Sequence, residues 1–245
     1  MGMLRASWGR LAYADTATDG PAIVLLHGSG CDADDWGEVI ANLPDYLRVV
    51  TMDFRGHGRS DTPTDPFTLN DLAADVAALL DHLRIDQTVL VGHSLGGMVG
   101  MQVAGAHAGV IGLVLLEGFT NLSASLSPDR YYGLLPAARI RAIRRKASAT
   151  VARIGKAVWQ PFWSSVCDFD GYSFLRGAAI PVYEVFGQLG RTAESEAELR
   201  VPDTPHIHWR WIHQAGHFLP IEAPRQVAGI CLQALVMTSH HWLGF

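Results

Sequence analysis

The stretch Thr88-Val89-Leu90-Val91-Gly92-His93-Ser94-Leu95-Gly96-Gly97 decides the architecture. Its first four residues form a short apolar run, the pattern of a strand buried on both faces. Leu95 to Ala108 is rich in Gly and Ala, which suits a helix that lies close against its sheet. A strand passing into a helix through Gly-x-Ser-x-Gly holds the serine in a strained turn and points its hydroxyl out of the sheet end. Gly92 and Gly96 leave room for strand and helix to meet. Ser94 would stand at a helix N-terminus, where negative charge is favoured.

Similar units lie on either side. Ala22 to Leu26 is an apolar run ending in His27-Gly28-Ser29-Gly30, and Leu47 to Phe54 is another ending in Arg55-Gly56-His57-Gly58. Ile111 to Leu116 ends at Glu117-Gly118, Pro181 to Phe186 ends at Gly187, and His206 to Ile212 is the last. Helical stretches separate these runs. From Thr68 to Arg84 the residues Leu72, Val76, Leu79, Leu80 and Leu83 recur on one face behind a Thr68/Asp71 capping box. Trp36 to Leu43 and Pro220 to Val236 read as further helices. Buried strands alternating with helices predict an α/β fold, a mostly parallel sheet with helices on both faces. Function in such sheets collects at the strand C-termini, where every glycine turn named above falls.

One excursion breaks the alternation. From Phe119 to Gly177 no buried strand can be read, so this stretch is expected to be a helical cap over the site. The expected division is a core of 1–118 and 178–245 with an insertion at 119–177. Residues 118–156 hold eight basic residues (Arg130, Arg139, Arg141, Arg144, Arg145, Lys146, Arg153, Lys156) against Asp129 alone. Tyr131, Tyr132, Trp159, Phe162, Trp163, Tyr172 and Phe174 give the insertion an aromatic character, suited to an apolar pocket or to packing on the body.

Composition narrows the function classes. The 245 residues are 49% hydrophobic and 18% charged, enough for a large core. A net charge of -5 offers no footprint for nucleic acid. The three cysteines, Cys31, Cys167 and Cys231, fit no zinc or thioredoxin spacing and read as reduced thiols of a cytoplasmic protein. Neither a signal peptide nor a membrane span can be read. His206 and His208 would share a strand face, but no third metal ligand accompanies them. The glycine turns match neither Gly-x-Gly-x-x-Gly nor a P-loop, so no cofactor is expected.

With these motifs in place, the chain from about Gly20 to Val236 resembles the α/β-hydrolase fold superfamily, specifically a serine esterase-like member with a helical lid. The resemblance implies Ser94 as nucleophile. It implies His217, in the late Ala215-Gly216-His217-Phe218, as general base. The N–H groups of Leu95 and Ser29 would form the oxyanion hole, with His27 bracing its loop. Asp53 and His57, in Asp53-x-Arg55-Gly56-His57-Gly58-x-Ser60, hold the equivalent turn in the family and are not expected to do chemistry.

The acid departs from the family pattern. Its usual place is the loop after the penultimate strand, and that loop reads Gly187-Gln188-Leu189-Gly190-Arg191, without a carboxylate. Another family position is the end of the preceding strand, which gives Glu117 and keeps the order serine, acid, histidine. Glu184 is the second candidate, since a carboxylate inside a buried strand requires a partner. Asp168, Asp170 and Asp203 match no motif.

The expected activity is hydrolysis of a carboxylic ester through an acyl-enzyme, with thioesters, lactones and carbon–carbon bonds open to the same triad. A small-molecule substrate is expected, and an anionic substrate or acyl carrier could use the basic insertion. Loss of the usual acid also leaves open a non-catalytic ligand receptor of the same fold.

Overall fold

The computed structural model describes residues 1–121, 132–189, 191 and 198–238. An eight-stranded sheet runs in the order β1-β2-β4-β3-β5-β6-β7-β8. The strands are β1 (Gly2–Ala6), β2 (Gly9–Asp15), β3 (Ala22–Leu26), β4 (Arg48–Met52), β5 (Thr88–His93), β6 (Val110–Leu116), β7 (Val182–Gly187) and β8 (Ile207–Ile212). From β4 onward across the sheet, every pairing is parallel. β1 and β2 pair antiparallel at one edge. They escaped the sequence reading because they alternate rather than run apolar: β1 is half-buried at every second residue. The hairpin is pinned by a buried group. Arg55 grips Asp75 through two bonds of 2.7 Å, and the Trp8 indole donates to the same carboxylate at 2.9 Å.

The helices are α1 (Gly37–Ile40), α2 (Leu69–Leu83), α3 (Leu95–Ala106), α4 (Ala137–Ile154), α5 (Lys156–Cys167), α6 (Tyr172–Gly177), α7 (Leu219–Glu222) and α8 (Pro224–Met237). The expected capping box is present: Thr68 and Asp71 cap α2 reciprocally. The C-terminal helix expected from Pro220 is two pieces, α7 and α8, interrupted at Ala223.

Alternation along the strands divides the core into two layers. Val24, Leu26, Leu90, Leu113 and Leu115 face α2, α3 and part of the insertion. Ile23, Leu25, Val89, Val91, Val114 and Leu116 face α1 and α8. Three helices, α4 to α6, lie between β6 and β7, and no strand occurs there among the described residues. No helix among the described residues is long and apolar enough to cross a membrane.

The tightest approach is between β5 and α3. A Cβ on Gly92 would collide with the Gly96 carbonyl oxygen, and one on Gly97 would lie 2.5 Å from the Gly118 Cα. Backbone cannot yield as a flexible side chain can. Gly92→Ala is therefore expected to lower unfolding free energy by about 1–3 kcal/mol in urea titration. Gly229→Ala on α8, where a Cβ meets nothing within 4 Å, should leave stability unchanged or raised.

Candidate active site

Ser94 stands between β5 and α3 with φ 53° and ψ −115°. A β-carbon in that region is strained, and such strain persists only where the surroundings impose it. Here the imposition is on both sides: the Ser94 N–H donates to Leu116 O at 2.9 Å, and the Gly97 N–H returns to Ser94 O at 2.9 Å. The Leu95 N–H falls at the start of α3, where helical N–H groups lack an intrahelical acceptor.

The loop after β3 closes against this turn. A Cβ on Gly96 would strike the Leu26 carbonyl, and one on Gly28 would come within 3.3 Å of Ser94 Cβ. His27 braces the loop. Its Nε2 accepts the Phe54 N–H at 3.0 Å, so Nδ1 carries the proton and donates to Gly28 O at 2.7 Å. Burial pushes this histidine down to about 4, which keeps the ring neutral. Asp53 is structural in the same sense: its two oxygens accept the N–H groups of Ala33 at 2.7 Å and Arg59 at 2.8 Å.

His217 lies in the turn between β8 and α7 and is buried. One carboxylate fixes its loop. Glu222 accepts the flanking N–H groups of Gly216 at 2.8 Å and Phe218 at 2.9 Å. His93 ties this loop to the nucleophile turn, its Nε2 donating to the His217 carbonyl at 2.9 Å with the two rings 4.8 Å apart. Phe119 stacks on the imidazole at 5.5 Å. Nothing in the sequence marked His93, because the variable position of Gly-x-Ser-x-Gly carries no expectation.

Glu117, at the end of β6, also adopts a left-handed backbone, φ 51°. Its Oε2 lies 3.6 Å from His217 Nδ1, in ion-pair range but longer than a hydrogen bond. Its Oε1 accepts the Gly187 N–H at 2.7 Å. Arg191, in the loop where a carboxylate was missing, donates to the same Oε2 at 2.6 Å. Burial pushes the Glu117 carboxyl up to about 7, against the pull of Arg191 and the Gly187 N–H. His217 is pushed down to about 3, by burial first and by the Arg191 charge second.

Of the remaining acids, Glu184 is buried in β7, and neither of its oxygens has a hydrogen-bond partner among the described residues, His217 included. Gly190 lies outside the described residues. Three residues of the insertion's basic run bond to the core, though only Lys146 among those described is as much as half-buried. Lys146 bridges Asp32 at 2.9 Å and Asp35 at 2.8 Å, Arg139 pairs with Glu38 at 3.0 Å, and Arg153 donates to the Gly56 and Gly58 carbonyls. Arg144 covers the Tyr132 ring, while Arg141, Arg145 and Lys156 are exposed. Arg130 and Tyr131 lie outside the described residues. Two of the aromatic residues pack on the body, Phe162 stacking on Phe67 and Tyr132 on Phe218, while Trp163 is exposed. No cluster of potential metal ligands occurs among the described residues.

Glu184 makes a pH-dependent contribution to stability. Burial, with Glu117 nearby, raises its carboxyl from 4.5 to about 8. The folded state therefore holds this proton more tightly than the unfolded chain. Stability from this group is full below about 4.5 and is lost as pH rises through about 8. Thermal melts across that window should show a falling Tm for the wild type and a flatter curve for Glu184→Gln.

Comparisons with known proteins identify the family and the fold. The model of the alpha/beta hydrolase family matches residues 23–230. A 3-oxoadipate enol-lactonase of Acinetobacter baylyi is 41% identical over 86 residues, covering 35% of this chain and 32% of that one. The magnesium-chelatase 30 kDa subunit of Rhodobacter capsulatus is 28% identical across 77% of this chain and 67% of its own. The first curated relatives are thus matched over only about a quarter to a third of their length. A solved N-acyl homoserine lactone degrading enzyme superimposes with a TM-score of 0.78 at 24% identity, over 95% of this chain and 99% of that one. On the family match, which spans most of the sequence and contains the Ser94 turn, Glu117 and His217, the chain belongs to the alpha/beta hydrolase family.

Proposed function

We propose that the chain is a serine hydrolase that cleaves carboxylic esters, lactones included, through an acyl-enzyme. The observation that carries this reading is the strained backbone of Ser94 at the sheet end, joined through His93 to the loop of His217, with Glu117 beside that histidine. Strain at a serine whose backbone is bonded on both sides has a purpose if the hydroxyl must be presented to a substrate.

In this mechanism the Ser94 hydroxyl attacks the substrate carbonyl carbon while His217 takes its proton. Glu117 orients the imidazole and stabilises its charged form. The carbonyl oxygen becomes an oxyanion, held by the N–H groups of Leu95 and Ser29. Collapse expels the alkoxide, which His217 protonates. In a lactone that leaving group stays tethered to the acyl chain. Water, deprotonated by His217, then releases the acid and restores Ser94. Catalytic hydrogen bonds often tighten only once substrate is bound, so a separation of 3.6 Å between His217 and Glu117 is compatible with this role.

Lactones are favoured over thioesters and carbon–carbon bonds within this class because relatives in both comparisons are named for lactone chemistry. The insertion at 119–177 serves as the cap. With Arg139, Lys146 and Arg153 engaged by the core, it acts as a clamp on the body more than as a dock for an acyl carrier.

Ser94→Ala should abolish turnover of p-nitrophenyl acetate and of a simple lactone, and should abolish labelling by a fluorophosphonate probe. Glu117→Gln should lower kcat by about 10³–10⁴-fold. Activity unchanged in Glu117→Gln removes Glu117 from the acid role. Absence of labelling in the wild type supports the receptor reading instead.

A further inference from the structure

The loop after β7 is where the acid was expected, and it brings an arginine to the carboxylate that took over. The Arg191 side chain is only 4% exposed. Three contacts fix it: Nη2 to Glu117 Oε2 at 2.6 Å, Nε to Gly187 O at 3.2 Å, and the guanidinium 5.1 Å from the Phe186 ring centre. The Glu117 oxygen it grips is the one facing His217. A cation is thus built into the rear of the proposed triad, sharing a single carboxylate oxygen with the base.

We propose that Arg191 is a positioning residue for the base: it fixes the Glu117 oxygen that faces His217, and its charge resists protonation of the Glu117–His217 couple. This rests on the catalytic reading above. Glu117 alone, close to a buried imidazole, would draw a proton onto the couple. With Arg191 paired to it, the carboxylate's charge is already answered, and a further proton on either group adds an uncompensated buried charge. The couple titrates as a unit, so the argument holds whichever atom receives the proton.

Other charged and titratable groups border the couple. His93, at the end of β5, is pushed down to about 3 by burial and stays neutral. Glu222, on α7, is anchored by the Gly216 and Phe218 N–H groups. Glu184, on β7, is raised to about 8 and changes charge on the alkaline side. Arg191 is thus the cation that faces Glu117 among the described residues. Its removal should act on the acid limb of the rate profile.

The test is the pH dependence of kcat/KM for p-nitrophenyl acetate, followed at the isosbestic wavelength of p-nitrophenol, with Ser94→Ala as the blank. In Arg191→Gln the acid limb should move to higher pH by about one to two units. Arg191→Lys, which keeps the charge, should hold the limb close to the wild-type position. A limb unmoved in Arg191→Gln, or moved equally in Arg191→Lys, overturns the proposal. Turnover by Ser94→Ala at the wild-type rate overturns the catalytic reading instead, so the two failures are distinct. Should Arg191→Gln not fold, Arg191→Met, which keeps an unbranched chain against the Phe186 ring and removes the charge, replaces it in the same pH profile, and a limb unmoved there overturns the proposal.

Discussion

The contact between the end of β5 and the start of α3 is the constraint on which the rest of the molecule depends. Helix and sheet touch there through backbone, with Gly92 against Gly96 and Gly97 against Gly118. Because no side chain separates them, the chain reverses within one residue, and that residue, Ser94, takes a left-handed backbone. The same closeness draws in the loop after β3, since Gly96 rests on the carbonyls of Leu26 and His27. Nucleophile, helix N-terminus and the proposed oxyanion loop are thus placed by one steric fact.

Around that turn the protein keeps ionisable groups out of water, and their arrangement sorts their charges. His27, His57, His93 and His217 are all buried and all held well below the ordinary histidine range. Glu117 has an arginine and a backbone N–H, and Glu184 has neither among the described residues. Two carboxyls on adjacent strands therefore differ in character. The one with partners can carry charge, and the one without them holds its proton at neutral pH.

The inserted helices are joined to the body at several points rather than draped over it. Lys146 enters between Asp32 and Asp35, beside the loop that precedes α1, and Ile143 packs with Cys31 and Phe218 in a small apolar cluster. α4 thereby touches both the loop after β3 and the loop of His217. Two of its cations, Arg139 and Lys146, pair with acids on the core, while Arg141 and Arg145 face solvent.

The local sequence determined the parallel core and the nucleophile turn. Apolar runs such as Ile111 to Leu116, each closed by glycine, specify buried strands whatever surrounds them, and Gly-x-Ser-x-Gly specifies its own geometry. The amphipathic edge strands β1 and β2 were not legible in the same way, because half-buried alternation is a weaker signal than a continuous apolar run. Nor was the environment of the acid. The loop from Gly187 to Arg191 could be read only as lacking a carboxylate, since which side chain meets Glu117 depends on how β6 and β7 lie side by side. Arg191, in the loop beyond β7, meets Glu117, and Glu184 within β7 has no hydrogen-bond partner among the described residues. Burial and pairing across strands are properties of the packed molecule, and only the tertiary structure decided them.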